Sequence, residues 1–448
     1  MLGNILLARL LSPIDYGIYA IVTFLIVFLG AFGGTGLSAN LIREHPEPPP
    51  QVFRTVYSFQ QVVVVICAIA IWVISNDLAK WYRLSIQQSW VFRLTALALI
   101  ATTWMVPPQI EMERNLEFHK LALVEVAQAF SFNLIAVLLA YAGFGAISFG
   151  IALLVRSILG AILANLIQPV SLGWSFYWSV AKPHLKFGLF YQTAQIVSLI
   201  KDSITPILIG FMVGTAAVGY ISWAAMLAGY PVLALVVLQR LYLPVFARFQ
   251  NDSKKLGSFL EQTIWATYSF TAPFSIFLLV LVHPITRIIF GVKWEPAIIL
   301  FFFFWTANVF VPAAGPVQSM LNSIGKSQVA MVFAIMWMVL TWAFGWPLAI
   351  WKGALGIAIA TALVQFSNLV LFWVAKSHVP FRIIRSAFRP WLLSLAVGGL
   401  LYPASRYWNP MNIGTLIAEI AASLTAYLAA SFWIDRARFS KLLQLVRQ

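Results

Sequence analysis

Long, unbroken apolar runs separated by short polar turns fill this chain almost from end to end. Apolar windows fall near 1–11, 16–38, 56–75, 90–110, 121–142, 145–167, 188–212, 216–240, 259–283, 297–322, 328–351, 354–375, 390–404 and 413–434. They are continuous rather than alternating with period two, so they predict helices and not strands. A helix of roughly 20 apolar residues crosses the ~30 Å hydrocarbon core of a bilayer. Lipid also obliges backbone polar groups to pair internally, which leaves helices or closed barrels. The pattern therefore predicts an all-α polytopic membrane protein of about fourteen transmembrane helices. The first run is the exception. Residues 1–11 rise only ~16 Å at 1.5 Å each, half a bilayer, so the first helix is expected to be truncated.

Composition closes off the soluble classes. The chain is 61% hydrophobic and 10% charged, whereas a soluble domain is roughly a quarter charged. Its 29 Lys and Arg against 14 Asp and Glu raise the question of nucleic acid. The bases are scattered between apolar spans, however, with no basic domain to hold a polyanion, so no nucleic acid is expected. Alternating sides from a cytoplasmic amino terminus puts 18 loop bases on one side and 6 on the other. That bias accounts for the excess and predicts that both termini are cytoplasmic. The single cysteine, Cys67, lies in an apolar span and excludes a disulfide framework. No cleavable signal sequence is visible.

The connections are too short for an extramembrane domain. The longest, about 171–187, is cytoplasmic in this topology. Its Trp174, Phe176, Tyr177 and Trp178 precede Lys182 and Lys186, a mixture that suits an interfacial helix or a wet connector between two six-helix halves. The basic tail Arg436–Gln448 reads the same way. A faint echo supports two halves: Leu11–Tyr19 and Val213–Tyr220 are both short turns running into Gly and Tyr. Repeated halves are a common transporter plan. The expected organisation is 1–170, a connector at 171–187, 188–376, and two further helices with a basic tail at 377–448.

A series of short segments then resembles a known family. ARLLSPIDYGIYAIV (Ala8–Val22) and GLSANLIRE (Gly36–Glu44) open it. ERNLEFHKLALVEV (Glu113–Val126), YAGFGAISFG (Tyr141–Gly150), ILIGFMVGTAAVGYIS (Ile207–Ser222), LYLPVFARFQND (Leu241–Asp252) and IIFGVKWEPA (Ile288–Ala297) follow in order. Together they resemble polysaccharide-type lipid-linked oligosaccharide flippases of the multidrug/oligosaccharidyl-lipid/polysaccharide exporter superfamily. The resemblance implies two six-helix lobes around a central cavity, two extra carboxyl-terminal helices, and some twenty more residues before the ARLLSP stretch. It implies alternating access carrying an undecaprenyl-diphosphate-linked oligosaccharide to the outer leaflet of a bacterial cytoplasmic membrane. A glycan polymerase or export machinery is the implied partner, with membrane lipids as surroundings and no cofactor.

Five bases lie within spans: Arg9, Arg93, Arg156, Lys201 and Arg240. Arg9, Arg93 and Arg240 sit near span ends, from which long side chains reach the interface. Arg156 and the neighbours Lys201 and Asp202 are mid-span, where a charge costs at least ~2.5–3.5 kcal/mol and faces protein or water. Adjacent helical residues do not face each other, so Lys201 and Asp202 are each expected to need water, substrate or a partner on another helix. Pro206 cannot bond the carbonyl of Asp202 four residues back, which marks a helix break beside a candidate ion- or proton-coupling carboxylate. For a diphosphate cargo, Arg156 and Lys201 are the expected anion partners, with Arg9 or Arg93 at the outer mouth and Arg240 at the inner. Glu125 and Glu419 are expected to pair between helices. Pro231, Pro273, Pro312, Pro316 and Pro347 promise bent helices.

No P-loop, HExxH, GxSxG or Cys/His metal cluster is present, so no enzyme and no metal are expected. Two other functions remain open. A polyspecific drug or cation antiporter on the same fold would want more cavity carboxylates. A membrane glycan polymerase would want a substantial outer loop.

Overall fold

The computed structural model describes residues 2–33, 50–170, 173–178, 182, 196–233, 235–408 and 413–434. The tail Arg436–Gln448, Lys186 and the amino-terminal part of the seventh apolar run lie outside them. The protein is an all-helical polytopic membrane protein. Among the described residues ten helices are long and apolar enough to span, or eleven if the bent pair Ser89–Thr103 and Val106–Arg114 is one span. Three of the fourteen apolar runs fall outside that count for different physical reasons. The first forms a helix of only nine residues, α1 (Leu2–Leu10). The seventh is only partly described. The thirteenth forms one continuous helix, Ile383–Trp408, long enough to span, but its arginines and prolines dilute its apolar character.

The chain forms two compact units, Met1–Gly219 and Tyr220–Gln448. The first contains α1, α2 (Pro13–Gly33), α3 (Pro50–Trp81), α4 (Ser89–Thr103), α5 (Val106–Arg114), α6 (Phe118–Tyr141) and α7 (Ile147–Ile167). Its second helix begins in a reciprocal cap. Ser12 Oγ accepts the Asp15 N–H at 3.2 Å, and Asp15 Oδ2 accepts the Ser12 N–H at 3.1 Å, while Pro13 supplies a first residue whose missing N–H costs nothing there. The other Asp15 oxygen, Oδ1, accepts the Ala146 N–H at 2.9 Å. Asp15 thereby ties the start of α2 to the turn between α6 and α7. That turn needs Gly145, whose φ is +54° and whose added Cβ would lie 3.2 Å from Asp15 Oδ1. Gly173–Tyr177 are not helical. They lie along the start of α3, where Ser175 N–H donates to Ser58 Oγ at 3.0 Å and Phe176 meets Phe59 edge-on at 5.6 Å.

The echoed turns meet. A Cβ on Gly17 would lie 1.9 Å from the Thr215 carbonyl oxygen, and one on Gly219 would lie 1.9 Å from that of Pro13. The first turn of α2 and the first turn of α8 (Thr215–Leu233) thus touch backbone to backbone, in two equivalent contacts.

The second unit continues through α9 (Leu235–Arg248), α10 (Ser253–Ile285), α11 (Ile298–Asn308), α12 (Val311–Ser323), α13 (Ser327–Lys352), α14 (Ala354–Phe366), α15 (Asn368–His378), α16 (Ile383–Trp408) and α17 (Ile413–Ile434). Asp252 caps α10, accepting the Lys255 and Lys254 N–H groups at 3.0 and 3.2 Å. Those backbone donors hold its carboxyl below the ordinary aspartate value. One core gathers Phe246, Leu260, Ile264, Val317, Met320 and Leu371 from α9, α10, α12 and α15. The turn after α10 folds back so that buried Trp294 stacks on Trp223 at 5.4 Å, and Arg287 pairs with Glu295.

Proline shapes both units. Pro316 has no N–H for the carbonyl of Pro312; Thr267 Oγ1 lies 2.9 Å from that carbonyl and from the Ile264 carbonyl of its own helix, sharing one proton between them. Tyr268 Oη donates to the Val309 carbonyl at 2.9 Å, at the joint between α11 and α12. Removing one hydroxyl tests this arrangement. Thr267→Val leaves a buried carbonyl unbonded and should cost about 1–2 kcal/mol, read as a lowered Tm in detergent by intrinsic tryptophan fluorescence.

Candidate functional site

The first unit carries a polar cavity, and its origin is a broken helix. Pro108 cannot bond the carbonyl of Trp104, and the chain bends by 41° between α4 and α5. Asn165 of α7 reaches across, its Nδ2 donating to the Trp104 carbonyl at 2.9 Å and to its own-helix Ala161 carbonyl at 2.8 Å. Beside it, Thr102 Oγ1 lies 3.1 Å from Ser157 Oγ, so polar side chains join α7 to the last turn of α4 and to the bend itself. Below the bend α5 leans away. The space left is a cavity of about 340 Å³ lined by Met105, Gln109, Met112, Glu125, Gln128 and Arg156, among others.

Arg156 is the one cation and Glu125 the one carboxylate of that lining. Arg156 sits ten residues into α7, at mid-span, and its side chain is exposed. The Tyr19 ring of α2 stacks on Phe149 of α7 at 4.1 Å. Gln128 is held over α7, its Nε2 donating to Met105 Sδ at 3.3 Å and lying 3.5 Å from the Arg156 carbonyl. Gly160 makes that crossing possible, since a Cβ there would sit 1.9 Å from Gln128 Nε2. Glu125 forms no ion pair with Arg156, and it faces the cavity rather than pairing between helices as its sequence position suggested. The lining combines the Arg156 guanidinium, the Glu125 carboxylate, two amides and soft thioether walls.

The other predicted residues lie elsewhere. Lys201 and Asp202 are not among the lining residues, and they correct a sequence expectation: they bond each other, Lys201 Nζ to Asp202 Oδ1. Neighbouring Cβ atoms do diverge on a helix. A four-carbon lysine stem is nonetheless long enough to curl its ammonium back, and the helix loosens at Ser203. Their side chains are 34% and 60% exposed, which leaves the carboxylate open to further partners. The chain then widens into a π-helical turn over Ile204–Ile209 that contains Pro206.

Arg9 is exposed in the last turn of α1. Arg93 is half-buried between α3 and α4, with Nε donating to Ser75 Oγ at 2.9 Å and Nη2 to Asn76 Oδ1 at 3.0 Å. Arg240 belongs to α9, and its side chain lies outside the described residues. Glu419 also departs from expectation. It is buried in α17, and neither carboxyl oxygen has a hydrogen-bond partner. Gln109, Gln128 and Asn165 escaped the sequence reading; the signal that points to them is Pro107-Pro108, which breaks the fourth apolar run.

Bent membrane-spanning helices around an embedded polar cavity define a polytopic carrier-like membrane protein, not a soluble one. The profile of a family described as polysaccharide biosynthesis protein matches residues 6–299, well over half the chain, and the protein belongs to that family. The lipopolysaccharide biosynthesis protein WzxC of Escherichia coli (strain K12) is 20% identical over 93% of this chain and 82% of its own length. The succinoglycan biosynthesis transport protein ExoT of Rhizobium meliloti (strain 1021) is 23% identical over 99% and 91%. Among solved structures, the lipid II flippase MurJ in an inward closed conformation superposes with a TM-score of 0.77 at 16% identity, covering 97% of this chain and 96% of that one. That likeness shows the fold.

Charge substitutions in the cavity should act in opposite directions. Glu125→Gln leaves Arg156 as the one formal charge of the lining. Methylene diphosphonate should then raise the Tm of Glu125→Gln more than that of wild type, and that of Arg156→Gln least.

Proposed function

We propose that the protein is a flippase. It carries an undecaprenyl-diphosphate-linked oligosaccharide from the cytoplasmic to the outer leaflet of a bacterial cytoplasmic membrane by alternating access, for export of surface polysaccharide. The observation that carries this reading is Arg156 exposed within a membrane-embedded cavity. A diphosphate headgroup brings roughly two negative charges that must leave water, and guanidinium offers it a planar bidentate partner. Membership of the polysaccharide biosynthesis family, and relatives described by transport or flipping, support a cargo of this class over a covalent reaction.

In this proposal fourteen spans form lobes at 1–170 and 188–376, joined by the connector at 171–187 and followed by two helices and a basic tail at 377–448. Both termini are cytoplasmic in this proposal, as the distribution of loop bases predicts. Arg156 and Lys201 bind the diphosphate in turn, with Arg9 at the outer mouth and Arg240 at the inner. Arg93, held by Ser75 and Asn76, is left out of the route. Asp202 couples transport to an ion or proton, exchanging Lys201 for the incoming charge. The glycan passes onward to a polymerase or export machinery.

Leaflet-resolved movement of a short-chain polyprenyl-diphosphate oligosaccharide in proteoliposomes tests the mechanism. Wild type should transport it. Arg156→Gln and Lys201→Gln should each slow it by about tenfold or more, a loss of charge-assisted bonds, and Asp202→Asn should abolish its dependence on an imposed ion gradient. A well-folded wild type that moves no lipid under any gradient would overturn the reading. Topology is tested separately. With Cys67 replaced by Ser, a cysteine at Lys254 should label from the cytoplasmic side, and one at Lys352 from outside.

A further inference from the structure

We propose that Arg93 is the anchor of a phospholipid-binding site on the outer surface of the first unit, in the leaflet on the side of the 82–88 turn. Helix α3 has 32 residues and is therefore ~48 Å long, against a hydrocarbon core of ~30 Å, so its end projects into the headgroup layer. The ion pair Asp77–Lys80, with side chains 58% and 77% exposed, marks the watery edge. Arg93 lies just inside that edge, bonded to Ser75 and Asn76 within a turn of the ion pair.

The guanidinium has five N–H donors, and its protein bonds use two. Ser75 and Asn76 occupy the side edge formed by Nε and Nη2, which leaves the end edge shared by Nη1 and Nη2. Both protein acceptors are neutral, and no carboxylate pairs with this cation among the described residues. Two tryptophans form a corner around it. The Trp90 ring centroid is 4.9 Å and that of Trp72 5.8 Å from Cζ, and the two rings stand at 86° to each other. The rings are 48% and 40% exposed, so the corner opens outward.

What it opens onto is apolar. Ile69 and Val73, three residues before Trp72 and Asn76 on α3, and Leu97, four after Arg93 on α4, are exposed at spacings that share a helix face, a surface that lipid covers rather than water. A cation lacking an anion, with a pre-aimed donor pair, indole walls and apolar flanks, sits at the depth of lipid phosphates. A phosphodiester satisfies the end edge bidentately, and its acyl chains lie along Ile69, Val73 and Leu97. The occupant is a resident phospholipid of that leaflet, recognised through its phosphate. The site needs neither the transport cycle nor the cavity of Arg156.

Photocrosslinking of the full-length protein in nanodiscs tests it, with matched probes carrying the photoreactive group near the glycerol: phosphatidylglycerol, phosphatidylcholine and phosphate-free diacylglycerol. The expected result is labelling of peptides spanning 66–97 by both phosphate-bearing probes and not by diacylglycerol. Arg93→Gln should reduce it about tenfold, Arg93→Lys by a smaller factor, and a control substitution of an exposed arginine in α16 of the second unit, Arg385→Gln, not at all. Equal labelling of wild type and Arg93→Gln, or equal labelling by diacylglycerol, would overturn the site. Should Arg93→Gln fail to fold, Arg93→Lys decides: undiminished labelling overturns the proposal and reduced labelling supports it. Competition by millimolar inorganic phosphate would show a simple anion site and overturn the lipid assignment. Because nothing is transported in this assay, its failure leaves the flippase reading intact.

Discussion

A carbonyl without a donor inside a bilayer has no water to turn to, and that constraint governs much of this structure. Each proline in a spanning helix releases one such carbonyl. The chain answers with side chains from neighbouring helices: Asn165 for Trp104, and Thr267 for Pro312. These bonds convert a local defect into a fixed bend, because the donor also ties the bent helix to a second one. The cavity that holds Arg156 follows directly from the first of them. Without the bend between α4 and α5, Met105, Gln109 and Met112 would lie on the course of a straight span, and the space below would close.

Charge placement obeys the same economy of partners. Arg93 takes neutral acceptors and indole faces. Asp15 distributes its two oxygens over the cap of α2 and the turn before α7. Arg156 alone of the mid-span charges faces an open cavity with its counter-charge, Glu125, held apart. A guanidinium with no ion pair to break before binding suits an anionic ligand of the kind proposed.

The sequence makes the helices legible because apolar runs of spanning length have few other uses. It makes Arg156 legible for a related reason: a cation eleven residues from either end of a run has nowhere else to go. The partners were not legible. Asn165 and Thr267 are ordinary polar residues whose acceptors lie 61 and 45 positions away, and only the folded helices bring them together. The Lys201–Asp202 pair defeated a rule about helix faces because the rule describes Cβ directions, not the reach of a flexible stem. Glu419 shows the converse, a carboxyl whose sequence position suggested pairing and whose buried oxygens meet none.

The contact of Gly17 and Gly219 with the carbonyls of Thr215 and Pro13 bears on how this chain can change over generations. Every codon change at either glycine that alters the residue adds at least one carbon at a place with 1.9 Å of room. At a lipid-facing position one apolar group can replace another at little cost. At the two glycines no such exchange exists. Substitution is therefore expected to be tolerated over the greasy exterior and barred at a joint made wholly of main chain.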